Sequence, residues 1–259
     1  MLSDPYQDAV ENLRSLAPIR VWSMLVTVFG DLAQPDGNAV SGPVLTDLMH
    51  EMGIKPEATR TALHRLRSDG WIVSEKCGRT SSHRLSGMGL AESVKATPVI
   101  YRDPKEMPHD WMLVLIKEQT AAATETLRNE GYMPIGNRLY VGSAPAPNTI
   151  DALIMAPQNS VGWLSHALET EQLTQDTDAL FGAMTRISSS ADEFSDLPAL
   201  KQAALRCLVV HVWRRIALKI PELPRELHSN RWKGHDCRQL VFDFLQAVPR
   251  PSLDELTQE

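Results

Sequence analysis

The sequence predicts an α+β chain built in three parts. Three observations carry that expectation. Residues 1–97 alternate helical periodicity with short β-rich runs and close on a basic hairpin. A proline-marked segment, 98–110, precedes a β-α-β-β pattern at 111–176. From about Thr177 the apolar spacing is helical throughout.

Composition sets the broad class. The 259 residues are 43% hydrophobic and 22% charged, ordinary for a globular protein and long enough for two or three small domains. No segment approaches the ~18 apolar residues that would span a bilayer. The polar start, Met1-Leu2-Ser3-Asp4-Pro5, lacks the positive end and apolar core of a signal peptide, so a cytoplasmic location and no membrane partner are expected. Cys77, Cys207 and Cys237 are odd in number, widely spaced and without a CxxC pair. That argues for reduced thiols and against a structural zinc; no metal and no cofactor are expected.

The elements follow in order. Residues 1–17 read as a helical arm or a frayed tail. Pro18 can open a helix that runs through Ile19–Leu32. Gln34–Asn38 is a turn, and Ala39–Ser41 a short strand. Val44, Leu45, Leu48, Met49 and Met52 set a helix over Pro43–Met52, stopped by Gly53. Pro56 opens a third helix that Gly70 ends. Its stripe of Ala58, Ala62, Leu63 and Leu66 opposes Glu57, Arg60, Thr61, His64, Arg65 and Ser68. Trp71–Val73 and Ser81–Leu85 read as strands around a tip at Cys77–Thr80, and 86–96 as a short helix. This is the layout of a winged helix-turn-helix.

After the 98–110 linker, strands are expected at Trp111–Lys117, Arg138–Gly142, Ala152–Ala156 and Ser160–Trp163. A helix lies at Thr120–Glu130 and a loop at Ala144–Asn148. The pattern suggests a ferredoxin-like α+β middle domain. Two helices, Leu197–Lys219 and His235–Ala247, dominate a helical C-terminal domain at 177–259, and the tail from Val248 reads as mobile.

The net charge of −6 argues at first against nucleic acid, but its distribution argues the other way. Between residues 55 and 84, Lys55, Arg60, Arg65, Arg67, Lys76, Arg79 and Arg84 face only Glu57, Asp69 and Glu75. The second helix of a helix-turn-helix pair enters the major groove of double-stranded DNA. That places Arg60, Thr61, His64 and Arg65 toward bases and Arg67 toward a phosphate. Lys76, Arg79 and Arg84 on the wing would meet backbone or minor groove. A charged helix face is more often only a solvated face. Here the face is nearly all cationic, follows a helix and a turn, and precedes a basic hairpin.

Beyond this pattern, the residues resemble a known family. Ser23-Met24-Leu25-Val26-Thr27-Val28-Phe29-Gly30-Asp31, Thr59-Arg60-Thr61-Ala62-Leu63-His64-Arg65-Leu66 and Asp69-Gly70-Trp71 are similar to the opening of the PaaX-like family, repressors of phenylacetic acid degradation. His211-Val212-Trp213-Arg214-Arg215 and Pro221-Glu222-Leu223-Pro224-Arg225-Glu226-Leu227 fit near the other end. Two departures stand out: Ser82 and His83 occupy wing positions where tyrosines are expected, and Trp232-Lys233-Gly234 lacks a proline before its glycine. The resemblance implies a homodimeric repressor of aromatic-acid catabolic genes, released from its operator by an aryl-acyl coenzyme A such as phenylacetyl-CoA.

Such an effector needs cations for its phosphates and an apolar slot. His211, Arg214, Arg215, Arg231 and Lys233 are the candidates, against the plainer reading of ion-paired or solvated side chains. Trp213 and Trp232 read as packing anchors. Two rivals remain. A winged helix can serve as a protein-interaction module. An enzyme is the other rival, but His235-Asp236-Cys237 are adjacent and cannot converge locally, and no phosphate-cradling glycine motif is present.

Overall fold

The computed structural model describes residues 4–35, 37–145, 150–159 and 162–258. The first segment forms α1 (Pro5–Ser15), α2 (Val21–Leu32), β1 (Val40–Ser41), α3 (Gly42–Glu51), α4 (Pro56–Ser68), β2 (Ile72–Cys77), β3 (Thr80–Leu85) and α5 (Gly87–Ile100). The three strands make one antiparallel sheet in the order β1-β3-β2.

Helix ends here are written in the sequence. Ser41 caps α3, its hydroxyl accepting from the Val44 amide. Gly53 and Gly70 take positive φ, 71° and 75°, just past α3 and α4. At each, two amides fold back onto the helix: Gly53 to His50 and Ile54 to Met49, then Gly70 to Arg67 and Trp71 to Leu66. A residue with a Cβ is strained in that conformation, so glycine fixes both stops. Pro56 then opens α4 after a tight turn.

The middle segment forms β4 (Trp111–Ile116), α6 (Ala121–Asn129), β5 (Met133–Gly136), β6 (Leu139–Ser143) and β7 (Ala152–Met155). The sheet order is β5-β6-β4-β7, with every pairing antiparallel. Strand alternation gives it two apolar faces. Val114 and Ile116 pack with Leu127 of α6 on one face. Trp111 and Val141 pack with Leu164, Leu168, Leu223 and Leu227 on the other.

Then come α7 (Gly162–Leu168), α8 (Glu171–Ser188), α9 (Ala191–Ser195), α10 (Ala199–Ala217), α11 (Gly234–Ala247) and α12 (Glu255–Gln258). Helix α10 is the hub: it packs on α1, α2, α3, α5, α8 and α11, and is buried nearly all round from Ala203 to Trp213. One cluster of buried side chains therefore runs from Tyr6 through the first segment into α8, α10 and α11. Met24, Phe29 and Leu45 share it with Leu208 and Phe244.

Several expectations need correction. Residues 5–15 are a docked helix, with Tyr6, Val10 and Leu13 buried; Met1–Ser3 lie outside the described residues. The strand expected at Ser160–Trp163 is absent: Ser160 and Val161 lie outside the described residues, and Gly162 and Trp163 open α7. A strand not expected, β5, pairs at the sheet edge. Helix α5 runs through Pro98 into the expected linker. The tail is anchored by buried Val248 and Leu256; only Glu259 lies outside the description. Asp36 of the expected turn and the 146–149 part of the expected loop also lie outside it.

Candidate nucleic-acid interface

Helix α4 packs its Thr59, Ala62 and Leu66 face against the core, chiefly against α2 and α3. That leaves Arg60, Thr61, His64, Arg65 and Arg67 exposed. Helical spacing then divides them. Arg60, His64 and Arg67 share one face, and with Arg79 at the tip of the β2–β3 hairpin they line a cleft of about 520 Å³. The positive end of α3, at Gly42, opens onto the same cleft. Among the described residues, no aspartate or glutamate lines it.

The remaining expected contacts lie off this cleft. Thr61 donates its hydroxyl to the Glu57 carbonyl. Arg65 is exposed and pairs loosely with Asp69 at 3.6 Å. Lys76 is exposed on the wing. Arg84 pairs with Glu75 at 3.3 Å on the opposite face of the hairpin from Ser74 and His83. Asp69 also accepts from Trp22 Nε1, tying the end of α4 to α2.

One lining residue was not expected. His83 of β3 is buried, with Nδ1 2.8 Å from Ser74 Oγ across the strand pair. Burial first, and the Arg67 guanidinium second, hold its pKa below the usual histidine value, so the ring is neutral near pH 7. The sequence signal was a histidine where the family pattern leads to tyrosine.

The five candidate effector cations do not gather in one described cavity. His211 is buried, its Nδ1 3.0 Å from Thr27 Oγ1, and desolvation beside Arg214 and Arg215 pushes its pKa down to about 3. Arg214 donates to the Ser23 hydroxyl at 2.8 Å. The cavity that Arg214 lines is about 30 Å³, room for about one water. Both side chains thus join α10 to α2. Arg215 is half-buried and Arg231 exposed; Lys233 lies 3.8 Å from Asp236 and over the Phe181 ring. Trp213 and Trp232 are buried anchors, as expected, Trp232 stacking on His228. Cys237 donates its thiol to the Thr177 carbonyl, and burial raises its pKa to about 12, so it is no nucleophile near neutral pH. No helix of the described residues is long and apolar enough to cross a membrane.

Comparison with known proteins fits this arrangement. The chain is 25% identical over 272 residues to the transcriptional repressor PaaX of Escherichia coli (strain K12), covering 94% of this chain and 85% of that one. It shares a fold with uncharacterized protein Rv0674 from Mycobacterium tuberculosis, at TM-score 0.50 and 20% identity over 87% of this chain and 94% of that one. A family model for PaaX-like protein matches residues 20–89, and one for the PaaX-like protein C-terminal domain matches residues 169–256. Together they span more than half of the sequence and include both α4 and α10: the chain belongs to the PaaX-like family.

Proposed function

We propose that this chain is a DNA-binding transcriptional regulator, a repressor of aromatic-acid catabolic genes rather than an enzyme. The observation that carries the reading is the cationic face of Arg60, His64 and Arg67, facing Arg79 across a cleft free of acids. In this reading residues 1–97 form a winged helix-turn-helix domain with α4 as recognition helix and β2–β3 as wing. Residues 98–110 are a linker, 111–176 a ferredoxin-like domain and 177–259 a helical domain. Two antiparallel pairings leave β4 and β5 parallel with β6 between them, the strand order of a split β-α-β unit, which supports the middle assignment.

Arg60, Thr61, His64 and Arg65 read bases, while Arg67, Lys76, Arg79 and Arg84 hold phosphates. A homodimer places two α4 helices in successive major grooves ~34–36 Å apart on a palindrome. The effector is an aryl-acyl-CoA of the phenylacetyl-CoA class. Arg215, Arg231 and Lys233 supply cations for its phosphates. His211 and Arg214 transmit its binding, because they bridge α10 to α2, which packs against α4. An effector shifts the equilibrium only if it binds the two states unequally.

The test is binding of the purified protein to its own upstream DNA at two salt concentrations, with and without phenylacetyl-CoA. Specific binding that weakens steeply with salt and is released by the ligand is expected. Specific binding indifferent to the ligand would discard the effector. No specific binding, with or without candidate aryl-CoA compounds, would sink the regulator.

A further inference from the structure

We propose that His83 completes a site for one backbone phosphate of duplex DNA, its Nε2–H donating into the cleft between α4 and the wing. This rests on the DNA-binding reading and goes beyond it by naming a neutral, buried donor among the exposed cations.

The geometry converges on an anion. Arg60, Arg67 and Arg79 bring three guanidinium groups to the cleft walls, none of them ion-paired among the described residues. Three guanidinium groups lining one cleft repel one another, and an anion seated there relieves that repulsion. His83 stands at the wall with about a tenth of its surface exposed. Its Nδ1 is committed to Ser74, whereas its Nε2 has no hydrogen-bond partner among the described residues. A neutral imidazole carries one N–H, and the Ser74 hydroxyl can either donate or accept. When Ser74 donates to Nδ1, the proton resides on Nε2, which is the tautomer an anion in the cleft selects.

Gly42 keeps the approach open. A Cβ there would stand 3.8 Å from His83 Nε2 and 3.4 Å from the Ser81 carbonyl. A glycine at the first residue of α3 therefore lets a phosphate oxygen reach the imidazole beside the positive end of the helix. A phosphodiester suits this set: its two anionic oxygens can meet the Arg67 and Arg79 guanidinium groups and the imidazole together, leaving Arg60 to a base edge. A strand of DNA bound to α4 passes this cleft, so the anion it brings there is a backbone phosphate.

The experiment uses the full chain and its upstream duplex. His83→Asn keeps an amide near Nδ1 for Ser74 and removes the distal donor; His83→Gln places an amide near Nε2. A hydrogen bond to a charged group supports an expected loss of about tenfold in affinity for His83→Asn and little loss for His83→Gln. Duplexes carrying single neutral methylphosphonates should reveal one position that weakens the unmodified protein markedly more than His83→Asn, which keeps only the arginine contacts to that phosphate. Gly42→Ala, which leaves Ser74 and His83 in place, should weaken binding several-fold while the melting temperature holds. Equal losses for both His83 variants, tracking their melting temperatures, would mean a packing role and overturn the proposal. So would a methylphosphonate scan in which the two proteins respond alike at every position. If the unmodified protein binds no duplex specifically, the underlying reading fails first, and visibly so.

Discussion

Asp31 of α2 and Arg206 of α10 form a buried ion pair across the two ends of the chain, with Asp31 Oδ2 2.8 Å from Arg206 Nε. Tyr101 donates its hydroxyl to the same carboxylate, and Arg206 also donates to the Leu245 and Val248 carbonyls. The group thus pins α2, the end of α5 and the C-terminal tail to one point. Removing one partner strands the other charge in the core. Asp31→Ala should cost about 3–5 kcal/mol. Asp31→Leu combined with Arg206→Met should recover part of that loss, because no buried charge is orphaned: Arg250, the other cation on Asp31, is exposed, and the remaining cost is the Tyr101 hydroxyl and the Leu245 and Val248 carbonyls left without partners. Urea unfolding of the parent, Asp31→Ala, Asp31→Leu, Arg206→Met and the double variant decides it; additive losses would show that the pair is not a coupled unit.

In the proposed DNA-binding reading the cationic face divides by role. Arg60 lies in the first part of α4 and is assigned to a base edge, whereas Lys76 lies on the wing and is assigned to the backbone. Arg60→Ala should cost ~1–3 kcal/mol on the preferred sequence and relax preference at one base pair. Lys76→Ala should weaken all sequences alike and lower the salt slope by about one. Affinity titrations on the operator and on single-base variants, at several salt concentrations, separate the two. Identical behaviour of both variants would place Arg60 on the backbone as well.

The N-terminal elements were legible because their boundaries are local chemistry. Pro56 and Gly70 bracket α4, Gly53 stops α3, and the apolar stripes have helical period. β5 was not legible. Met133-Pro134-Ile135-Gly136 holds a proline, which sheets admit chiefly on edge strands, and edge position is a tertiary fact. The expected strand at Ser160–Trp163 rested on a short apolar run, which fits the start of a helix equally well. The tail looked mobile because Val248 and Leu256 are too far apart to show a pattern, yet both are buried. At the site, the cations of α4 and the β2–β3 hairpin were legible from charge, while the placement of His83 was not, because it depends on Ser74 of β2 and on Gly42 at the start of α3. The contacts of His211 and Arg214 were hidden for the same reason. Their partners Thr27 and Ser23 lie more than 180 residues away, and a helix buried nearly all round gives no polar face from which to read them.

A single hydrogen atom's worth of space governs the base of the wing. Gly89, in the first turn of α5, sits so close to the Trp71 carbonyl that a Cβ would collide with it, and would also crowd Leu85 at 3.3 Å. The obstacle is backbone and cannot swing aside. Trp71 directly follows the glycine stop of α4, and its carbonyl accepts from the Ser86 amide. Gly89→Ala should therefore cost about 1–3 kcal/mol, although alanine is the better helix former. It should also weaken DNA binding by disturbing the wing's angle to α4. Thermal melts and operator titrations test this. A variant as stable as the parent would show that α5 can slide away from the wing freely.

His211 should make the protein acid-labile. Its ring is neutral in the core, with a pKa of about 3 against 6.5 for an unperturbed histidine. The unfolded chain takes up a proton near pH 6.5, and the folded chain only near pH 3. Stability is thus fully present above 6.5 and falls as pH drops across that window. The slope is about 1.4 kcal/mol per pH unit for one proton. His211→Asn keeps an amide near Nδ1 for Thr27 but cannot titrate. Between pH 6.5 and 5 the parent should lose about 2 kcal/mol more than the variant, as read by urea unfolding at each pH. The other histidines with lowered pKa, His83, His228 and His235, are common to both proteins and cancel in the difference. Parallel stability curves would mean that His211 can be protonated in the folded state, and that the contact joining α10 to α2 opens to water.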